Sequence, residues 1–168
     1  MGIARARLTA TVALLASALA ACSPQAASDT REGAPAADAG TPTHAVSGLR
    51  IVPVTVTTDR GEHRFATELA ESAEDQARGL MFRTELGPNE AMIFPREGDV
   101  ASFWMKNTPL PLDIIFVGQD GRIINIAAQT TPYSTQSVSA EGPTGAVLEI
   151  AGGRAAELGI EPGDKVEW

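Results

Sequence analysis

The chain has 168 residues, 43% of them apolar, with 13 basic side chains against 21 acidic ones and a formal charge of −8. That length suits one domain with a tail, and the acidic balance argues against nucleic acid and against electrostatic attachment to anionic lipid. A sole cysteine, Cys22, excludes an intramolecular disulfide, so an exported domain must be stable through its core.

Met1 to Ala21 contains Arg5 and Arg7, no acid, and the apolar run Leu8 to Ala20. A positive start before an apolar run too short to span a bilayer predicts an export signal over 1–21. The run ends Leu19-Ala20-Ala21-Cys22, which resembles the bacterial lipobox, where cleavage before the cysteine leaves an acylated N-terminus. The alternative is ordinary cleavage near Ala18-Leu19-Ala20, with Cys22 a free thiol. Two or more acyl chains anchor a protein stably. A lipidated Cys22 therefore implies a partner in a bacterial membrane, with the domain facing the periplasm or the cell exterior. Loss of Arg5 and Arg7 with the signal leaves 11 basic residues against 21 acidic ones, a mature charge near −10.

Residues 22–47 are rich in Ala, Pro, Gly, Ser, Thr and Asp, with one valine and no aromatic residue. Nothing there offsets the entropy of ordering, so this segment is expected to be a disordered tether. A single domain is expected over 48–168.

Arg50 to Thr58 is rich in β-branched residues and alternates, with Pro53 suggesting an edge or a strand start. Asp59-Arg60-Gly61 reads as a turn, and His63 to Leu69 as the returning strand. Ser72-Ala-Glu-Asp75 resembles a capping box with Asp in the last place, predicting a short helix to Arg78 that stops at Gly79. Ala91 to Phe94 predicts a brief strand ended by Pro95. Leu112 to Val117 and Ile123 to Ala128 flank Gln119-Asp-Gly-Arg122, a strong hairpin signal. Thr130 to Thr144 is polar and irregular, Ala146 to Ile150 another strand, Gly153 to Leu158 a turn or two of helix, and Lys165 to Trp168 a last strand. Seven or eight short strands and two short helices, around 73–78 and 153–158, predict a mainly β fold: a compact antiparallel sandwich or small barrel.

Arg78-Gly-Leu-Met-Phe-Arg83, Met92-Ile-Phe94, Phe103-Trp-Met-Lys-Asn-Thr108 and Pro111-Leu-Asp-Ile-Ile-Phe116 resemble the bacterial and archaeal domain-of-unknown-function family 192, also called uncharacterised protein family 0127. Val147-Leu-Glu149 and Gly159-Ile160 with Gly163-Asp164 fit the same pattern. The resemblance covers about Val52 to Trp168. It implies a compact β-rich fold with small helices, and no established activity, cofactor or catalytic residue.

The stretch Ser102 to Val117 sets two apolar runs around Lys106, Asn107, Pro109, Pro111 and Asp113. As a hairpin, its second strand is largely apolar on both faces, which suggests burial on two sides, and Asp113 interrupts one of them. One register places Lys106 opposite Asp113 and another separates them. A charged aspartate there is costly unless paired, with Lys106 or Arg83 as candidate partners. One reading is a buried structural latch. The other gathers Arg83, Trp104, Lys106, Asn107, Asp113 and Glu149 as the floor and aromatic wall of a concave binding site.

Neither His44 nor His63 has metal-ligand spacing, no metal or cofactor is expected, and Met81 and Phe82 read as core. No Gly-x-Ser-x-Gly elbow is present, and Gly152 to Gly159 lacks the ending of a phosphate loop. The expected role is a non-enzymatic envelope binding module for a small molecule, glycan or protein segment. The alternatives are an envelope hydrolase using Asp113 or Glu149 with Lys106, and a structural or assembly factor.

Overall fold

The computed structural model describes residues 42–168. The segment expected to be an export signal, Cys22 and the expected tether as far as residue 41 lie outside the described residues. The chain then runs β1 (Ile51–Thr58), β2 (Gly61–Leu69), α1 (Ala73–Arg78), β3 (Glu90–Pro95), β4 (Ser102–Phe103), β5 (Leu112–Gly118), β6 (Ile123–Ala127), β7 (Val138–Ser139), β8 (Thr144–Ala151), α2 (Arg154–Leu158) and β9 (Lys165–Glu167).

Seven strands form one sheet in the order β6-β5-β8-β3-β2-β1-β9, and β4 pairs with β7 in a separate ribbon. The two ends of the large sheet meet where Arg122 bridges Lys165, with the Ile123 N–H donating to the Asp164 carbonyl at 2.9 Å. The result is a nearly closed barrel, as the pattern of short strands predicts. Pro53 lies in β1 beyond the short pairing with β9, which covers only Thr55 to Thr57, so its missing N–H interrupts no ladder there.

One pair departs from the antiparallel expectation: β2 and β3 run parallel. Parallel neighbours need a crossover, and α1 with the turns after it supplies one. That helix forms as its signals predict, with the Ser72 hydroxyl accepting the Asp75 N–H at 3.1 Å and the Gly79 N–H donating to the Asp75 carbonyl.

The expected hairpin of 103–106 with 112–117 does not form. β5 already uses both edges, pairing with β6 on one side and β8 on the other. The chain turns tightly after β4, with the Thr108 N–H donating to the Met105 carbonyl at 3.1 Å. β4 therefore ends at Phe103, and Lys106 has no cross-strand position opposite Asp113. β5 is nonetheless buried along its whole length, as its two apolar faces suggest.

Those faces belong to two apolar layers. The barrel interior packs Val54, Val56, Phe65, Ile93, Ile115, Leu148, Ile150 and Val166 against Ala155 and Ile160 from the α2 segment. The outer face of β3, β8 and β5 carries Met92, Phe94, Val147, Ile114 and Phe116 under Leu80, Met105, Phe103 and Val138. Phe103 meets Phe94 and Phe116 edge-on, with ring centroids 5.0 and 6.3 Å apart. Edge-to-face pairs of this kind add about 0.5–1.5 kcal/mol each beyond burial.

The ordered domain begins before 48. Thr43 bridges Arg50, and His44 and Ser47, placed in the tether by composition, contact Glu68 on β2.

Candidate functional site

The six residues singled out from sequence fall in three places. Asp113 stands on the interior face of β5 and is fully buried. Its partners are neither Lys106 nor Arg83. Oδ1 accepts the backbone N–H of Gln129 at 2.7 Å and of Gly153 at 2.9 Å, and Oδ2 accepts that of Ala155 at 2.8 Å. Gly153 adopts φ 88° before α2, a left-handed conformation that suits glycine and presents its N–H to the carboxylate. Asp113 thus caps α2 from the strand beside β8 and stitches three segments together. It is a structural acid.

Arg83 pairs instead with Glu68, whose side chain is 3% exposed. The same carboxylate accepts the Ser47 hydroxyl and lies 3.6 Å from His44 Nδ1. Arg83 Nη2 also reaches His44 Nδ1 at 3.2 Å. Sequence reasoning missed Glu68 and His44. The one available signal was a single acid, Glu68, next to the buried end of an alternating strand.

Of the remaining four, Trp104 and Glu149 line an open cleft of about 300 Å³, while Lys106 and Asn107 contact its lining residues Trp104 and Met81. The α1 C-terminus and its following turn, Gln76 to Met81, form one wall, and Ser102, Phe103 and Trp104 form the other. Phe94, Arg96, Thr108 and Glu149 complete its lining. Trp104 is 47% exposed, and Lys106, itself exposed, holds its ammonium 5.2 Å from the Trp104 ring centroid. Asn107 takes φ 56°, accepts the Phe82 N–H at 2.8 Å and aims its amide nitrogen at Met81 Sδ, 3.8 Å away. Met81 is half-buried at the cleft. Phe82, expected in the core, is 69% exposed.

Most polar groups of this cleft are already engaged. Gln76 donates to the Ala70 and Pro95 carbonyls and accepts from Arg96, which also pairs with Asp99. Thr108 donates to the Lys106 carbonyl, and Ser102 accepts from Ser139. Glu149 differs. It sits on the outer face of β8 between Met92 of β3 and Ile114 of β5 and is 5% exposed. Burial alone pushes its carboxyl up to about 8, with no opposing contribution from a cation or donor. Its carboxyl group borders the cleft, since no fully occluded side-chain oxygen or nitrogen among the described residues lacks a partner. A desolvated carboxyl at pH 7 is largely neutral and can donate as well as accept.

Fold and site together define a small, nearly closed β-barrel domain with an aromatic-walled cleft over one unpartnered acid. The family model DUF192, described as "Uncharacterized ACR", matches residues 54–168, and the chain belongs to that family. A crystal structure of a protein of unknown function from Novosphingobium aromaticivorans DSM 12444 is 61% identical, with a TM-score of 0.75 over 78% of this chain and 94% of that one. A protein from Sinorhizobium meliloti 1021, described as a candidate transcription regulator, is 36% identical, with a TM-score of 0.66 over 68% of this chain and 91% of that one. No curated protein matches the chain.

Proposed function

We propose that this protein is an exported, lipid-anchored envelope module that binds a small molecule in the Glu149 cleft without transforming it. The observation that carries the binding reading is Glu149: a carboxyl 95% buried, without a partner, at the floor of an open cleft with aromatic and polar walls. Leaving a buried polar group unmatched costs free energy that a neutral apolar side chain would not. Asp113 and Glu68 show that the fold matches its other buried acids. The cleft volume lies at the lower end of ligand pockets, which combine apolar lining with few polar groups. A single acid with no second titratable group positioned beside it is a recognition element rather than an acid–base pair. The export signal over 1–21 and the Leu19-Ala20-Ala21-Cys22 motif support the address. The charge of −8 opposes carrying a nucleic-acid role over from the Sinorhizobium relative.

The chain contains two tryptophans, Trp104 and Trp168, and only the first lines this cleft. Their indole N–H signals in a nitrogen-15 spectrum therefore report cleft and control separately. A screen of small organic fragments against the full chain is expected to yield fragments that move the Trp104 signal and not that of Trp168. A screen in which no fragment moves Trp104 selectively removes the binding reading.

A further inference from the structure

Resting on the cleft reading above, we infer that the ligand is a small organic cation, an ammonium on an apolar or aromatic body, held with its charged head against Glu149. Four observations converge on that class. The floor carries one carboxyl group that borders the cleft and that no cation or donor of the protein engages, so stabilisation of its charged form is left to a ligand. Beside Arg78 and Arg96, the walls carry aromatic and thioether surface from Phe94, Phe103, Trp104 and Met81, groups that attract a cation through aromatic rings and polarisable sulfur. Trp104 already accepts an ammonium, that of Lys106, at 5.2 Å. The helix α1 turns its C-terminal end, where carbonyls outnumber donors, to the cleft wall.

The cations that line or flank the cleft, Arg78, Arg96 and Lys106, do not satisfy Glu149 in advance. Arg96 is held by Asp99 and Gln76. Arg78 is exposed on α1, where solvent and salt screen it. Lys106 is on the tryptophan. None of the three offsets the effect of burial on the Glu149 carboxyl, which leaves it for a ligand cation to draw that group into its anionic form.

Charge pairing sets a pH signature. A quaternary ammonium keeps its charge at every pH, so the only titrating partner is Glu149, which must lose its proton to pair. Affinity should rise close to tenfold per unit between about pH 6 and 8 and level off above it. Benzyltrimethylammonium is the probe, with benzyl alcohol as the neutral analogue and benzoate as the anion, each titrated calorimetrically into the full chain and located by the Trp104 indole signal. The expected result is that the ammonium moves Trp104 and tightens by some tens of fold from about pH 6 to 8.5, that benzoate fails to bind, and that Glu149→Gln flattens the pH profile. Binding of benzyl alcohol alone would overturn the cationic class and leave the cleft reading standing. A pH-independent ammonium affinity, equal in Glu149→Gln, would overturn the role of Glu149 in the class. A Trp104 signal unmoved by any of the three probes would overturn the proposal, and failure of the broader fragment screen as well would remove the cleft reading with it.

Discussion

Glu68 and Glu149 lie in one row of the sheet, flanking Met92 from the two sides of β3, and both are buried. They differ in what reaches them. Glu68 receives Arg83, the Ser47 hydroxyl and His44, drawn from three separate positions in the chain. Glu149 receives nothing from the protein and faces a cleft. The contrast separates two uses of a buried carboxylate. Where cation and donors converge, desolvation is offset and the acid closes the structure, here fastening the segment 43–47 to the barrel. Where none converge, the fold bears the desolvation and the acid stays available to a molecule from outside.

The sharpest way to break this contrast is pH. The folded-state Glu149 carboxyl is raised to about 8 from an ordinary value of 4.5. Between those values the unfolded chain releases its proton while the folded one retains it, so stability falls as pH rises, and it flattens above the folded value. The limiting slope is about 1.4 kcal/mol per pH unit. Glu149→Gln removes the decline, so the variant should gain on wild type by about 3 kcal/mol between about pH 5 and 8. Urea unfolding of both proteins across that range measures it, and parallel curves would mean Glu149 is solvated or paired after all.

The opposite sign is expected at Glu68. Arg83→Ala leaves that carboxylate buried without its cation and should destabilise the domain by about 2 kcal/mol. Proteolysis offers a second readout, because the segment 43–47 loses one of its anchors and should be cut sooner. A loss below about 0.5 kcal/mol would place Arg83 among ordinary surface charges and dissolve the comparison from its other side.

What could be read in advance divides along the range of the interactions. The Ser72 cap, the stop at Gly79, the turn at Asp120-Gly121 and the two-sided burial of β5 depend on neighbours in sequence, and each appears in the structure. The hairpin expected from sequence does not form because β8, some thirty residues further on, takes the edge of β5 to which the apolar pattern assigns 103–106. Asp113 was legible as a buried acid, but its partners are backbone N–H groups of Gln129, Gly153 and Ala155, which have no side-chain signature. Glu68 meets Arg83 only because β2 and β3 run parallel, and the crossover between them returns Arg83 to the outer face. Glu149 and Trp104 could be named as candidates, while the walls at Met81, Phe94 and Phe103 are brought together by packing alone.

The smallest effect tests the pair that sequence first suggested. Lys106 is exposed, and its contact with Trp104 is a surface cation–π interaction worth about 0.5–1 kcal/mol at most. Lys106→Ala should therefore cost about 0.5 kcal/mol, and the same amount when Asp113 is already alanine, because the two residues share no partner. Independence is the informative outcome: it makes Asp113 a cap of α2 and leaves Lys106 to the rim of the cleft. A coupling of about 1 kcal/mol or more in that double-mutant cycle would require Lys106 to reach Asp113 through the barrel wall, against the three backbone N–H groups that already occupy the carboxylate.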